Sequence, residues 1–73
     1  MNEVAMLVGS NVRKLRVKQG FTQERLAVRV SLSSDYVSRL ELGKENPTVE
    51  VLYRISSALG VGITSLFDAD ASV

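Results

Sequence analysis

Apolar side chains recur along this chain at intervals of three and four residues, the spacing of one face of an α-helix. The first run of this kind predicts a helix over about residues 3–18, with Gly20 following as a helix stop. Its inward-facing members are Val4, Leu7, Val8, Val12 and Leu15. No segment shows the strict apolar–polar alternation of a half-buried β-strand, so the chain is predicted to be all-α.

Two short helices joined by a tight turn are predicted next. Thr22 is a suitable N-cap for a second helix that begins at Gln23. Residues 31–33 form the turn, and Ser33 is a suitable N-cap for a third helix over about residues 34–42. The apolar positions that point inward from these two helices and their turn are Leu26, Ala27, Val30, Leu32, Val37 and Leu40.

Two further helices complete the predicted fold. Thr48 caps a fourth helix over about residues 49–59. Thr64 is predicted to cap a short fifth helix that carries Leu66 and Phe67. The pattern therefore predicts a compact arrangement of five helices, with no internal repeat or linker.

Length and composition exclude several classes of function. The 73 residues make one domain, 1–73, in which residues 68–73 are predicted to fray. Because the chain has no histidine and no cysteine, it offers no catalytic triad, no thiol nucleophile and no ordinary transition-metal site. We therefore expect no enzyme, no metal and no cofactor. With no membrane span and no signal peptide in the sequence, we expect a cytoplasmic protein.

Charge is distributed unevenly along the chain, although the net charge is only +1. Residues 10–44 hold eight basic and three acidic side chains, a net of +5, and the rest of the chain has a net of −4. From charge alone, a solvated surface is the simpler interpretation. The basic segment coincides with the two short helices, however, and this coincidence favours attraction to a phosphate backbone.

The second and third helices with their turn have the arrangement of a helix-turn-helix, whose second helix enters the major groove of DNA. Polar side chains fall on the outer side of the third helix, where they can meet base edges: Ser33, Ser34, Asp35, Ser38 and Arg39.

An ordered set of motifs resembles the Cro and phage-repressor type of helix-turn-helix protein. The resemblance covers about residues 9–67 and is carried by residues 12–16, 20–27, 36–41, 43–44, 46–48 and 58–61. It implies a five-helix DNA-binding fold and a sequence-specific regulator of transcription. The short length and the segment 36–38 are similar to restriction-modification controller proteins, which regulate the endonuclease that they accompany.

The resemblance implies DNA contacts along both helices. Gln23 is expected to bind a phosphate from the helix N-terminus. For Arg39 three alternatives are open: it binds a guanine edge, binds a phosphate or stays solvated. Asp35 occupies a specificity-determining position, where it either accepts from a base or only stabilises the helix N-terminus. Tyr36 is expected to pack partly inward, to bind phosphate, or both. The complete expected set is Gln23, Ser33, Ser34, Asp35, Tyr36, Ser38, Arg39, Lys44 and Asn46.

Two positions are expected to have structural roles. Glu41 lies in the last turn of the third helix, where the helix dipole disfavours a carboxylate, so a cationic partner is expected. The resemblance implies that this partner is Arg16. Ser31 stands where the family usually has glycine in the turn, and a serine with positive φ would cost about 1 kcal/mol.

One recognition helix reads only a few base pairs, so we expect a homodimer on a two-fold operator in double-stranded DNA. The segment with Val61, Ile63, Leu66 and Phe67 holds more apolar side chains than a small domain needs, and some are expected to face a second subunit. The alternative is that all four close the monomer core.

The resulting hypothesis is a homodimeric transcriptional regulator that occludes or assists RNA polymerase at a nearby promoter. The sequence leaves open the operator and the choice between repressor and activator. Two alternatives remain, a phage-type repressor and a protein-interaction module resembling an antitoxin or anti-repressor. A polar outer face on the third helix favours DNA, whereas an apolar face would favour a protein partner.

Overall fold

The computed structural model describes residues 2–69. Within them lie four α-helices and one short 3-10 helix: α1 (Glu3–Lys18), α2 (Gln23–Val30), α3 (Ser34–Glu41), α4 (Val49–Ala58) and the 3-10 helix Ile63–Phe67. These residues contain no strand, as the sequence pattern predicted. No helix among them has the length and apolar character needed to span a membrane.

Hydroxyl side chains begin α2, α3 and α4 at the predicted positions. Each accepts a hydrogen bond from the backbone N–H three residues later: Thr22 from Arg25 (3.1 Å), Ser33 from Tyr36 (3.0 Å) and Thr48 from Val51 (3.1 Å). These bonds satisfy backbone donors that have no partner within the helix. The third and fourth helices end one residue earlier than the sequence pattern indicated.

The predicted fifth α-helix is wrong. Ile63–Phe67 is a 3-10 helix that follows Gly62, and no side chain caps it, so Thr64 does not have the expected role. Five residues are too few to support an α-helical hydrogen-bond ladder, and short segments commonly adopt the tighter 3-10 geometry. Tertiary contacts hold the segment instead: the Asn11 side chain donates to the carbonyl of Leu66 at 2.9 Å.

The same asparagine donates at 2.9 Å to the carbonyl of Asp68, so the chain is still held just after the 3-10 helix. Fraying was predicted for residues 68–73. The bond to Asp68 holds the first of them, and residues 70–73 lie outside the described residues.

The core lies where α1 to α4 and the 3-10 helix meet. Its buried apolar members are Val8, Val12, Leu26, Ala27, Val30, Val37, Leu40, Leu52, Ile55, Leu59 and Leu66. Val4 was predicted to face inward but is 54% exposed, so the buried stripe of α1 begins one residue later, at Ala5.

A left-handed residue ends α2. Ser31 has φ 59° and is the one non-glycine residue with positive φ in the described chain, so of an altered or a strained turn, the two outcomes left open by the sequence, the strained left-handed backbone is present. The backbone N–H of Leu32 then donates to the carbonyl of Ala27 at 2.9 Å. This turn ends α2 abruptly and directs the chain into α3.

Helix α1 passes very close to the end of α3 at Gly9. A Cβ atom at Gly9 would collide with the carbonyl oxygen of Leu40 and would lie 2.9 Å from that of Glu41. Both obstacles are backbone atoms, so α3 would have to move away from α1 to make room. The missing side chain at Gly9 therefore determines how closely these helices pack.

We expect Gly9→Ala to lower the free energy of unfolding by about 1–3 kcal/mol, because crowding of α3 outweighs the gain in helix propensity. Urea denaturation provides the measurement. Lys14→Ala, at an exposed position of the same helix, is the control and should change stability by no more than about 0.5 kcal/mol. A Gly9→Ala variant as stable as the parent would contradict this account of the packing.

Candidate nucleic-acid interface

One face of α3 is buried and the opposite face is accessible. Val37 and Leu40 are 0% and 1% exposed and hold the helix against the core. The accessible face is polar and carries the exposed or half-buried side chains predicted for it: Ser34, Asp35, Ser38 and Arg39, with Ser33 at the helix start. Polar side chains on a helix face of this kind can contact base edges in the DNA major groove.

A capping hydrogen bond and a negative charge both stabilise the start of α3. Ser33 accepts the N-cap hydrogen bond, and Asp35 lies in the first turn, where a carboxylate stabilises the helix N-terminus. Asp35 also lies one turn before Arg39 and contributes to raising the pKa of that guanidinium.

A buried ion pair joins α1 to the end of α3. Arg16 donates through Nε to Glu41 Oε2 at 2.6 Å and through Nη2 to Glu41 Oε1 at 3.0 Å. The two side chains are only 10% and 2% exposed. The hydrogen bond to Glu41 raises the pKa of Arg16, whereas burial lowers it. The pair that the resemblance implied is therefore present, in a two-pronged geometry that fixes both side chains.

The same carboxylate positions Gln23, the first residue of α2. Gln23 Nε2 donates to Glu41 Oε1 at 3.0 Å, and the side chain is half-buried. The backbone at the start of α2 has free N–H groups, which favour an anion. Sequence reasoning placed Gln23 at this helix start but missed its bond to Glu41.

A cleft of about 380 Å³ lies between α1, the start of α2 and α3. Arg13 and Lys14 line it together with Gln23 and Ser38, and both basic residues are exposed. Sequence reasoning included these two cations in the net charge and in the family motif but assigned them no DNA contact. The available signal was spacing, because Arg13 lies one helical turn before Arg16 and so faces the same side of α1.

Arg39 is held by a residue that the sequence did not identify. Its Nε donates to Glu45 Oε2 at 2.8 Å, and the two side chains are 50% and 26% exposed. This hydrogen bond is the main reason that the pKa of Arg39 is raised. Tyr36 lies nearby and is half-buried against the core; burial first, and then the charge of Glu45, raises its pKa.

The loop after α3 carries the two other predicted DNA-contacting residues. Lys44 and Asn46 are both exposed. The backbone N–H of Lys44 donates to the carbonyl of Arg39 at 2.9 Å, which folds the loop back against the end of α3. The start of this loop therefore lies against the end of α3, whereas Asn46 lies in a cleft with Asn2 near the start of α1.

Only part of the segment predicted to form the dimer interface is exposed on the surface of the single chain. Leu66 is 0% exposed and belongs to the monomer core, so its assignment to the interface is wrong. It is buried because the 3-10 helix packs against both α1 and α4. Val61 and Ile63 are half-buried against the core, and Phe67 remains 43% exposed.

Comparison with known proteins agrees with this architecture. The helix-turn-helix family matches residues 12–66 of the chain. An uncharacterised HTH-type transcriptional regulator, y4dJ of Sinorhizobium fredii, is 45% identical over 64 residues, covering 88% of this chain and 83% of the relative. Control protein C.BamHI of Bacillus amyloliquefaciens is 37% identical over 68 residues, covering 92% and 84%.

A solved structure is also closely similar. The restriction-modification controller protein C.AhdI from Aeromonas hydrophila superposes with a TM-score of 0.83 at 30% identity, over 86% of this chain and 96% of that chain. With the described geometry, these matches define a class: the chain belongs to the helix-turn-helix family. It is a DNA-binding transcriptional regulator, similar to restriction-modification control proteins.

The buried pair makes a clear prediction about stability. Glu41→Ala should lower the free energy of unfolding by about 3–5 kcal/mol, because it leaves the Arg16 guanidinium buried without its partner. Thermal or urea unfolding measures the loss. The double variant Arg16→Met/Glu41→Leu removes both charges and should recover most of that stability. A Glu41→Ala protein as stable as the parent would show that the buried Arg16 guanidinium does not depend on this partner.

Proposed function

We propose that the protein binds a two-fold DNA operator as a homodimer, with α3 of each subunit in the major groove. The observation that carries this proposal is the polar face of α3 lying beside Gln23, which Glu41 holds at the start of α2. A base-facing helix next to a phosphate-binding helix start is the geometry that sequence-specific binding requires. A polar face also argues against the alternative of a protein-interaction module.

The proposed contacts divide into two groups. Side chains on the outer face of α3 contact the base edges. Among them, Arg39 is suited to bind a guanine because it can donate two parallel hydrogen bonds, to O6 and N7. The remaining residues proposed to face bases are Ser34, Asp35 and Ser38. The residues proposed to bind phosphates are Gln23, Ser33, Tyr36, Lys44 and Asn46. We add Arg13 and Lys14 to this group because they line the cleft beside Gln23.

Dimerisation follows from the small size of the domain, since one recognition helix buries too little surface for selective binding. Phe67 supplies exposed apolar surface for the interface, and Val61 and Ile63 supply its half-buried border. Two subunits would place their recognition helices on successive turns of one face of the duplex.

We further propose that the protein is a restriction-modification controller that occludes or assists RNA polymerase at a nearby promoter. The support is the similarity to C.BamHI and C.AhdI, which covers 84% and 96% of their chains. The neighbouring genes test this proposal. An adjacent endonuclease and methyltransferase are expected, whereas integrase or lysis genes would favour a phage-type repressor.

Arg39→Ala should weaken binding to a selected operator by about 1–3 kcal/mol and relax the preference at one base pair in each half-site. Gel-shift titrations against a set of single-position operator variants measure both effects. Gln23→Ala is the matched comparison and should weaken binding to all sequences similarly, because a phosphate contact carries no base information. An Arg39→Ala variant with unchanged preference at every position would remove this residue from base readout.

Phe67→Asp should shift the protein toward monomer and lower operator affinity steeply, because a charge at the interface opposes association and two half-sites are no longer bound together. Helix content should be retained, since Phe67 is 43% exposed in the single chain. Sedimentation equilibrium and circular dichroism provide the measurements. Leu66→Asp is the control and should unfold the domain. A folded, fully dimeric Phe67→Asp protein would exclude Phe67 from the interface.

A further inference from the structure

Glu45 places a carboxylate at the edge of the DNA-facing surface, next to Lys44 and Asn46. A negative charge there repels the phosphate backbone, so it weakens binding unless it has another role. The loop geometry brings this carboxylate back onto the recognition helix, where Oε2 accepts from Arg39 Nε at 2.8 Å. The side chain of Glu45 is only 26% exposed, compared with 77% for Glu50, which pairs with Arg54 on α4.

Glu45 binds Arg39 at Nε, so the other nitrogens of the guanidinium are available to bind DNA. Within residues 2–69 the guanidinium uses Nε for Glu45, and no hydrogen bond of Nη1 or Nη2 is present there. Those two nitrogens form the flat outer end of the guanidinium. Their N–H groups have the spacing needed to bind guanine O6 and N7 together.

We propose that Glu45 is a specificity-determining positioning residue, which holds Arg39 by Nε so that its two terminal nitrogens read a guanine edge. This inference rests on the proposed operator binding by α3. The carboxylate has two effects. It restricts a flexible side chain before binding, which lowers the entropy lost in the complex. It also partly neutralises Arg39, so a phosphate attracts this side chain less than it attracts a free arginine.

Glu45→Gln tests the proposal, because it removes the charge and keeps the size of the side chain. The quantity to measure is the ratio of affinities for the selected operator and for the operator altered at the base pair that Arg39→Ala identifies. We expect this ratio to fall about 2- to 5-fold, as for a partly exposed ion pair, while affinity for random-sequence DNA rises. Taking a ratio at one base pair cancels the electrostatic effect common to all sequences.

Glu50→Gln is the matched control, since it removes one negative charge from another Arg–Glu pair. It should leave the ratio unchanged. Glu45→Gln in an Arg39→Ala background should also have no further effect on the ratio, because Glu45 acts only through Arg39. Circular dichroism should show all variants folded.

The outcomes separate the two proposals. If Arg39→Ala relaxes one base pair but Glu45→Gln leaves the ratio unchanged or increases it, Glu45 is not a positioning residue and the inference is overturned. If Arg39→Ala changes preference at no base pair, the assignment of Arg39 to base readout fails, and the positioning role of Glu45 fails with it. If Glu45→Gln also lowers the ratio in the Arg39→Ala background, Glu45 does not act through Arg39 and the inference is again overturned.

Discussion

The buried ion pair between Arg16 and Glu41 joins α1 to the end of α3 and, through Gln23, to the start of α2. Removing two charges from water costs several kcal/mol for each ion, and only good geometry with additional hydrogen bonds offsets that cost. Here the guanidinium gives two hydrogen bonds to the carboxylate and a third to the carbonyl of Phe21, at 2.7 Å. The carboxylate accepts another from Gln23. One pair therefore connects α1, the loop that follows it, the start of α2 and the end of α3.

Close packing and this network reinforce each other at the same place. Gly9 allows α1 to lie against the carbonyl groups of Leu40 and Glu41, and that approach brings Arg16 within reach of the carboxylate. No side-chain nitrogen or oxygen that is buried in the described residues lacks a hydrogen-bond partner. The polar interior is thus fully satisfied, which favours a single orientation of α2 relative to α3. That orientation determines where base-reading and phosphate-binding side chains lie relative to each other.

Local sequence signals were sufficient for the elements that depend on local physics. Helical spacing and hydroxyl caps predicted α1 to α4, and the position of Glu41 at a helix end indicated a cationic partner. The wrong assignment of Leu66 and the role of Glu45, which was missed, both depend on tertiary contacts. Leu66 is buried because Asn11 and two helices hold the 3-10 segment, which no local pattern reveals. Glu45 reaches Arg39 because the loop folds back, and a separation of six residues does not match a helical period.

Protection of guanine N7 from dimethyl sulfate on a selected operator shows directly whether α3 reads bases in the major groove. If it does, guanines will be protected in two symmetry-related half-sites about 10 base pairs apart or a multiple of that spacing. The Arg39→Ala protein should leave one guanine in each half-site reactive. A bound complex in which every guanine N7 stays reactive, while minor-groove adenine N3 atoms are protected, would show that α3 does not enter the major groove.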